Sequence, residues 1–289
     1  MSAATGEGAR RPPTGPEGAE ADAIRVSGVS AGYDGRIALD DVSLQIERGA
    51  LVAIFGPNGG GKSTLLKLIA GLLKPLRGSV EVLGAPAGEA AKRVAYVPQA
   101  ELVDWSFPVS VWDVAMMGRF PQLGPWRRPG AEDREAVASA LERVGMADRR
   151  NTQIGALSGG QRRRAFLARA IAAGPELYLL DEPVTGVDVT TQEDLMQLLT
   201  DETHLGRTAV ATTHDLAAAS EHFGTVVALN RHIVAVGASS LVLDPEVLAA
   251  TYGGHLLVLN NRAVVLDDAH HHDAASGREQ HFHENGEGH

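Results

Sequence analysis

LVAIFGPNGGGKSTLLKLIAGLL, residues 51–73, is the stretch that decides the fold. Its first five residues are an unbroken apolar run with the length of a buried strand, and STLLKLIAGLL places apolar side chains at helical spacing. Between them, GPNGGGKST (56–64) fits G-x-x-x-x-G-K-[ST], a loop that binds phosphate when it joins a strand to a helix. Gly56, Gly59, Gly60 and Gly61 are expected to take positive φ and to bring amide N–H groups against phosphate oxygens around Pro57 and Asn58. The N-terminus of the following helix adds favourable partial charge. Lys62 is placed to neutralise β and γ phosphates, Ser63 to offer its hydroxyl to magnesium, and Thr64 to contact phosphate or start the helix. The bland alternative, a glycine-rich turn without a ligand, does not account for both flanks.

Working outward, VAYV, LYLL and TAVATT are further continuous apolar or β-branched runs, separated by helical patterns such as GQRRRAFLARAIAA and QEDLMQLLTDE. Strands buried on both faces of a parallel sheet have this pattern, so the class is α/β. LYLLDEP puts Asp181 and Glu182 at the C-terminal end of such a strand, where α/β sheets bind ligands. Asp181 is expected to hold magnesium, and Glu182 to orient and deprotonate an attacking water. Ahead of the parallel strands, IRVSGV and ALDDVSLQI predict a small antiparallel sheet over residues 24–49. Between residues 99 and 157 the pattern becomes helical, as in AEDREAVASALERVG, and predicts a helical insertion. Near the end, two apolar runs flank Asn260 and Asn261 and predict a hairpin.

Composition narrows the function. A net charge of -10 over 289 residues argues against wholesale binding of a nucleic-acid backbone, so nucleic acid is not an expected partner. With no cysteine, disulfides, thiolate metal sites and cysteine nucleophiles are excluded. No apolar run approaches the roughly 20 residues that cross a bilayer. Residues 1–23, rich in Gly, Pro, Ala and Glu, are expected to form a disordered arm, because no apolar segment follows Arg10 and Arg11.

LSGGQ (157–161), followed by RRRAFLARA, resembles the signature of ATP-binding cassette ATPases, and the resemblance spans residues 24–266. It implies a P-loop NTPase core with an antiparallel β subdomain and a helical insertion subdomain at about 100–157. It also implies binding of ATP and Mg2+. Tyr33 in SAGYDG resembles the aromatic that stacks on adenine, and Gln99 in YVPQ the glutamine that senses magnesium. Leu157, Ser158, Gly159, Gly160 and Gln161 resemble the pentapeptide that meets the γ-phosphate held by a second copy of the chain. Asp188 in TGVD resembles the aspartate that communicates between two nucleotide sites, and His214 in TTHD the histidine that bonds the γ-phosphate. Without the family, Ser158 would read as a helix cap, Tyr33 as a turn aromatic, Gln99 as a strand end and His214 as structural. Gly60 and Arg162 depart from the commonest family residues, and neither departure threatens ATP binding.

Such ATPases serve many processes, so local features must discriminate. About a hundred residues separate the phosphate loop from LSGGQ, without sustained heptads or cysteines, which disfavours the DNA-organising and repair members. One cassette and no membrane run imply an ATPase subunit that docks on a separate integral membrane permease at the cytoplasmic face of the membrane. ELVDWSFPVSVWDVAMMGR (101–119) resembles the corresponding stretch of manganese, zinc and iron import ATPases, which implies an extracytoplasmic metal-binding protein as an indirect partner. There Trp105, Phe107, Val109 and Trp112 are either permease contacts or core residues. A soluble non-transport ATPase, or a transporter ATPase for a non-metal substrate, is the alternative. Six of the eleven histidines lie in residues 267–289, expected to be disordered. His270, His271, His272, His281 and His283 form either a loose zinc-binding tail or a merely solvated one.

Overall fold

The computed structural model describes residues 22–99, 107–124, 126–185 and 188–253, together with the backbone of 256–259 and 262–265. Strands β1 Asp22–Tyr33 and β2 Arg36–Glu47 form an antiparallel pair, as their alternating pattern predicts. The sheet they start also takes β4 Arg77–Val82 and β5 Ala85–Pro86, in the order β2-β1-β4-β5. The expected small sheet over residues 24–49 is therefore larger than its own sequence suggested. β4 follows the phosphate-loop helix Lys62–Ile69 and returns to pair with β1, a long-range choice that RGSVEV does not encode locally.

The second sheet contains β3 Leu51–Phe55, β6 Val94–Val97, β7 Leu177–Leu180, β8 Thr208–Thr213, β9 Thr225–Asn230 and β10 His232–Gly237, in the order β10-β9-β3-β8-β7-β6. β3 lies parallel to both β8 and β9, and β7 parallel to both β6 and β8, while β10 closes the edge antiparallel to β9. LYLL and TAVATT are buried at every position, as continuous apolar runs require. VAYV is only partly buried, because β6 is the edge strand and lacks a neighbour on one side.

The two faces of this sheet build two separate cores, because successive strand residues point to opposite sides. Val52, Ile54, Leu177, Leu179 and Val210 pack with the phosphate-loop helix, through Leu65, Leu66, Leu68 and Ile69, and with the antiparallel sheet. Ala53, Phe55, Tyr178, Leu180 and Ala211 pack instead with Val111, Val114, Val137, Leu141, Leu157 and Ala165. Those partners belong to the helices Val111–Met116, Ala131–Arg143 and Gly159–Ala172 and to the turns between them. The helix Val111–Met116 begins with a reciprocal cap: Ser110 Oγ accepts the Asp113 N–H, and Asp113 Oδ2 accepts the Ser110 N–H at 2.9 Å. The predicted hairpin is present in the backbone, where β11 Leu256–Leu259 pairs antiparallel with β12 Arg262–Val265, while Asn260 and Asn261 lie outside the described residues.

Candidate nucleotide site

The phosphate loop follows β3 directly, and its conformation is enforced by its surroundings. A Cβ on Gly56, at φ +157°, would lie 1.8 Å from the Leu229 carbonyl oxygen of β9. Gly61, at φ +95°, caps the helix Lys62–Ile69 without any side-chain hydrogen bond, leaving the first N–H groups of the helix for a ligand. Gly59 also has positive φ, whereas Gly60 does not, contrary to expectation. Gly60 instead donates its N–H to the Pro57 carbonyl at 3.0 Å, closing a turn whose central residues are Asn58 and Gly59, so that Gly59 alone supplies the positive φ the turn needs. Lys62 is buried, with Nζ donating to the carbonyls of Gly56 at 2.9 Å and Pro57 at 3.2 Å. Ser63 and Thr64 follow in the first helical turn, so glycine backbone, helix N-terminus, ammonium and hydroxyls converge as a triphosphate requires.

Asp181 follows β7 and shares the face of Leu177 and Leu179, which is the face covered by the phosphate-loop helix. It is almost fully buried, its Oδ1 accepting from Thr212 Oγ1 at 2.8 Å and its Oδ2 from the Tyr96 hydroxyl at 3.4 Å. Burial, followed by the adjacent Asp181 charge, pushes the Tyr96 phenol above its ordinary pKa and keeps it a donor. At Glu182 the backbone turns into the left-handed region, φ +50°. Its carboxylate is held loosely, by Gln99 Nε2 and Thr185 Oγ1, each at 3.3 Å, with His214 Nδ1 at 4.0 Å. The structure thus gathers Gln99, Asp181, Glu182 and His214 from the ends of β6, β7 and β8, although they lie far apart in the chain.

The signature segment is elsewhere. Leu157 is buried and anchors it, whereas Ser158 and Gly159 are exposed. Ser158 caps the helix Gly159–Ala172: its Oγ accepts the Gln161 N–H at 3.3 Å, and Gln161 Oε1 accepts the Ser158 N–H at 3.1 Å. Asp188 likewise caps the helix Val189–His204, accepting the Thr191 N–H at 3.0 Å and the Thr191 hydroxyl at 2.8 Å. These two bonds, the N–H first, hold its carboxyl below the usual aspartate range. Arg164 joins the two helices by donating to Thr191 and Asp194, and Arg163 donates to the Pro183 carbonyl beside Glu182. Tyr33 is exposed at the end of β1, with the Lys67 ammonium 5.8 Å from its ring centre.

A cavity of about 480 Å³ lies behind the carboxylates, between Arg143–Gly145 at the end of the helix Ala131–Arg143, Phe166 and Leu167 of the signature helix, and Leu195 and Leu198. It touches Asp181 and Glu182 but no residue of the phosphate loop. Of the apolar positions expected to meet a partner or the core, Trp112 and Val109 pack on the core while Phe107 is exposed. Trp105 and the five tail histidines lie outside the described residues. Sequence reasoning missed Thr212, Tyr96 and Arg163. Only the hydroxyl in TAVATTHD, where a purely apolar residue would serve the strand, offered a signal for the first of them.

A phosphate-binding loop, a carboxylate pair at the end of one buried strand and a capped signature helix on one α/β scaffold define an ATP-hydrolysing cassette. The chain belongs to the ABC transporter family, whose model matches residues 39–185. Among its relatives, the "Manganese transport system ATP-binding protein MntA" of Synechocystis is 48% identical over 80% of this chain and 90% of the relative. The "Zinc transport system ATP-binding protein TroB" of Treponema pallidum is 42% identical over 82% of this chain and 90% of its own length. The solved structure of cbiO1 from Clostridium perfringens, part of the ABC transporter complex cbiONQ, superposes with a TM-score of 0.67 at 27% identity, covering 80% of this chain and 94% of that one. Among the described residues no helix is long and apolar enough to cross a membrane.

Proposed function

We propose that this chain powers import of a divalent transition metal, manganese, zinc or iron, through a separate membrane permease. One observation carries the reading: its likeness, along four-fifths of its length, to ATP-binding proteins of manganese and zinc transport systems. In this reading residues 24–266 form the cassette, with the helical insertion at about 100–157, and the chain works at the cytoplasmic face of the membrane. An extracytoplasmic metal-binding protein delivers the cargo, which need not touch this chain.

ATP is held by the amide groups of Gly56–Thr64 and by Lys62, with Tyr33 against the adenine. Magnesium fits the donor set of Ser63 and Asp181, with Gln99 near, since hydroxyl, carboxylate and amide oxygens suit a hard cation; when bound it neutralises phosphate charge. Glu182 accepts a proton from water as the water oxygen bonds to the γ-phosphorus. The bond from that phosphorus to the bridging oxygen breaks, and ADP leaves as the leaving group. His214 is placed to bond the γ-phosphate. Each site is completed by Leu157–Gln161 of a second copy, whose exposed Ser158 and helix N-terminus complement the anion. Asp188 then relates the two sites. ATP moves the permease because it binds the closed pair better than the open one. A loose zinc site at the tail histidines would add buffering to this scheme.

Expression with the cognate permease in cells lacking their own metal importers tests the reading. Accumulation of radioactive manganese, zinc or iron should rise with the intact chain and stay at background with Lys62→Ala. Equal uptake of all three metals with either protein would overturn it.

A further inference from the structure

Thr212 is wholly buried near the end of β8, and its hydroxyl makes two bonds. Oγ1 donates to Asp181 Oδ1 at 2.8 Å and accepts the backbone N–H of Glu182 at 2.9 Å. The location explains why a side chain is needed. β7 and β8 run in register as far as Leu180 opposite Ala211, and there the backbone ladder stops. On the other flank the Asp181 N–H still reaches the Val97 carbonyl of β6, at 2.9 Å. One residue later Glu182 turns to φ +50°, a conformation that residues other than glycine rarely adopt. Its N–H is thereby aimed back at β8, where the Thr212 hydroxyl receives it.

We propose that Thr212 is a positioning residue for ATP hydrolysis. Its hydroxyl binds the side chain of Asp181 and the backbone of Glu182 into one unit, so that the metal-facing and water-facing carboxylates keep a fixed separation. The proposal rests on the roles given above to those two residues. A valine has nearly the shape of threonine and fills the same space, yet can make neither bond. If Thr212 served packing alone, valine would do equally well in this sealed position, and serine, which lacks the methyl group, would do worse.

The test compares Thr212→Val and Thr212→Ser with the parent protein, alongside Asp181→Asn and Glu182→Gln. Thr212→Val should lower kcat about tenfold or more, the loss of two hydrogen bonds that orient reacting groups, with KM for ATP rising only about threefold. Equilibrium binding of a non-hydrolysable ATP analogue should be unchanged in EDTA, while the affinity gained on adding Mg2+ shrinks about threefold or more. Thr212→Ser should restore both quantities. Thr212→Ala gives the same hydroxyl comparison with serine if the valine variant fails to fold. Thr212→Val matching the parent in kcat and Mg2+ response would overturn the proposal, as would serine and valine losing activity equally. Asp181→Asn and Glu182→Gln retaining full hydrolysis would instead remove the reading of the site itself.

Discussion

Glu182 and Glu202 stand twenty positions apart in the chain and are held in opposite ways. Glu202, on the helix Val189–His204, has no exposed surface and takes a hydrogen bond from the Tyr178 hydroxyl at 2.6 Å, with Arg143 and Arg207 completing the set. Burial alone would raise its pKa; the Tyr178 and arginine bonds outweigh this and hold it below its ordinary value. The same contacts lock the end of the helix Ala131–Arg143 to β7 and to the turn before β8. Glu182 has a strained backbone and contacts of 3.3 Å or longer. A carboxylate saturated by short bonds is a structural joint, because ionisation is already used up in holding its partners. One left with weak contacts at a strand end can exchange them for a reacting water at little cost.

The contrast can be broken most directly at the joint. Glu202→Gln should destabilise the fold by about 3 kcal/mol, the lower end for breaking a buried ion pair, since both arginines keep some contact with water. Denaturant unfolding measures it, and hydrolysis per folded molecule should change little. The pH dependence has a definite sign: a carboxyl whose pKa is lower folded than unfolded stabilises above the unfolded value and loses that contribution as pH falls through the folded one. The stability gap between parent and Glu202→Gln should therefore be flat above about pH 5 and narrow below the ordinary value of 4.5. A gap that widens with acid would mean Glu202 is not held ionised.

Glu182→Gln should show the reverse profile. ATP hydrolysis should fall about a hundredfold, equivalent to about 2.7 kcal/mol of barrier, with an unfolding midpoint close to the parent's and ATP binding retained. Accumulation of an ATP-bound dimer on size exclusion would sharpen the contrast. Undiminished turnover would erase it. A smaller effect belongs to Asp188, whose Ala variant should lose about 1 kcal/mol as a helix cap in the monomer. A further loss of hydrolysis under dimer-forming conditions would give Asp188 a role beyond the cap, and an unchanged rate would leave it a cap alone.

Much of the site was legible because its parts are contiguous. GPNGGGKST joins a strand end to a helix start, LLDEP ends a strand and LSGGQ opens a helix, each within a few residues, so local periodicity places them without knowledge of the fold. Gly60 is the exception within the loop, since residue type permits positive φ but only the closed turn to Pro57 decides that it is not used. Trp112 and Phe107, five positions apart and similar in apolar character, separate into core and surface because Trp112 lies on the helix Val111–Met116, which packs on the core, whereas Phe107 lies in the bend that precedes it. Thr212 read simply as a β-branched strand residue; its two polar partners come from a strand thirty positions away.

By itself the sequence determined the class of fold, the phosphate loop, the carboxylates and the family, since each depends on spacing within a single strand, turn or helix. The tertiary structure alone decided that β4 and β5 join the first sheet, that β8 separates β3 from β7, and that Thr212 and Glu202 tie distant elements together. The physical reason is that lateral strand order and buried polar partnerships arise from chain closure and burial across many residues. A partner reached through space imposes no fixed interval along the chain, so no local pattern records it.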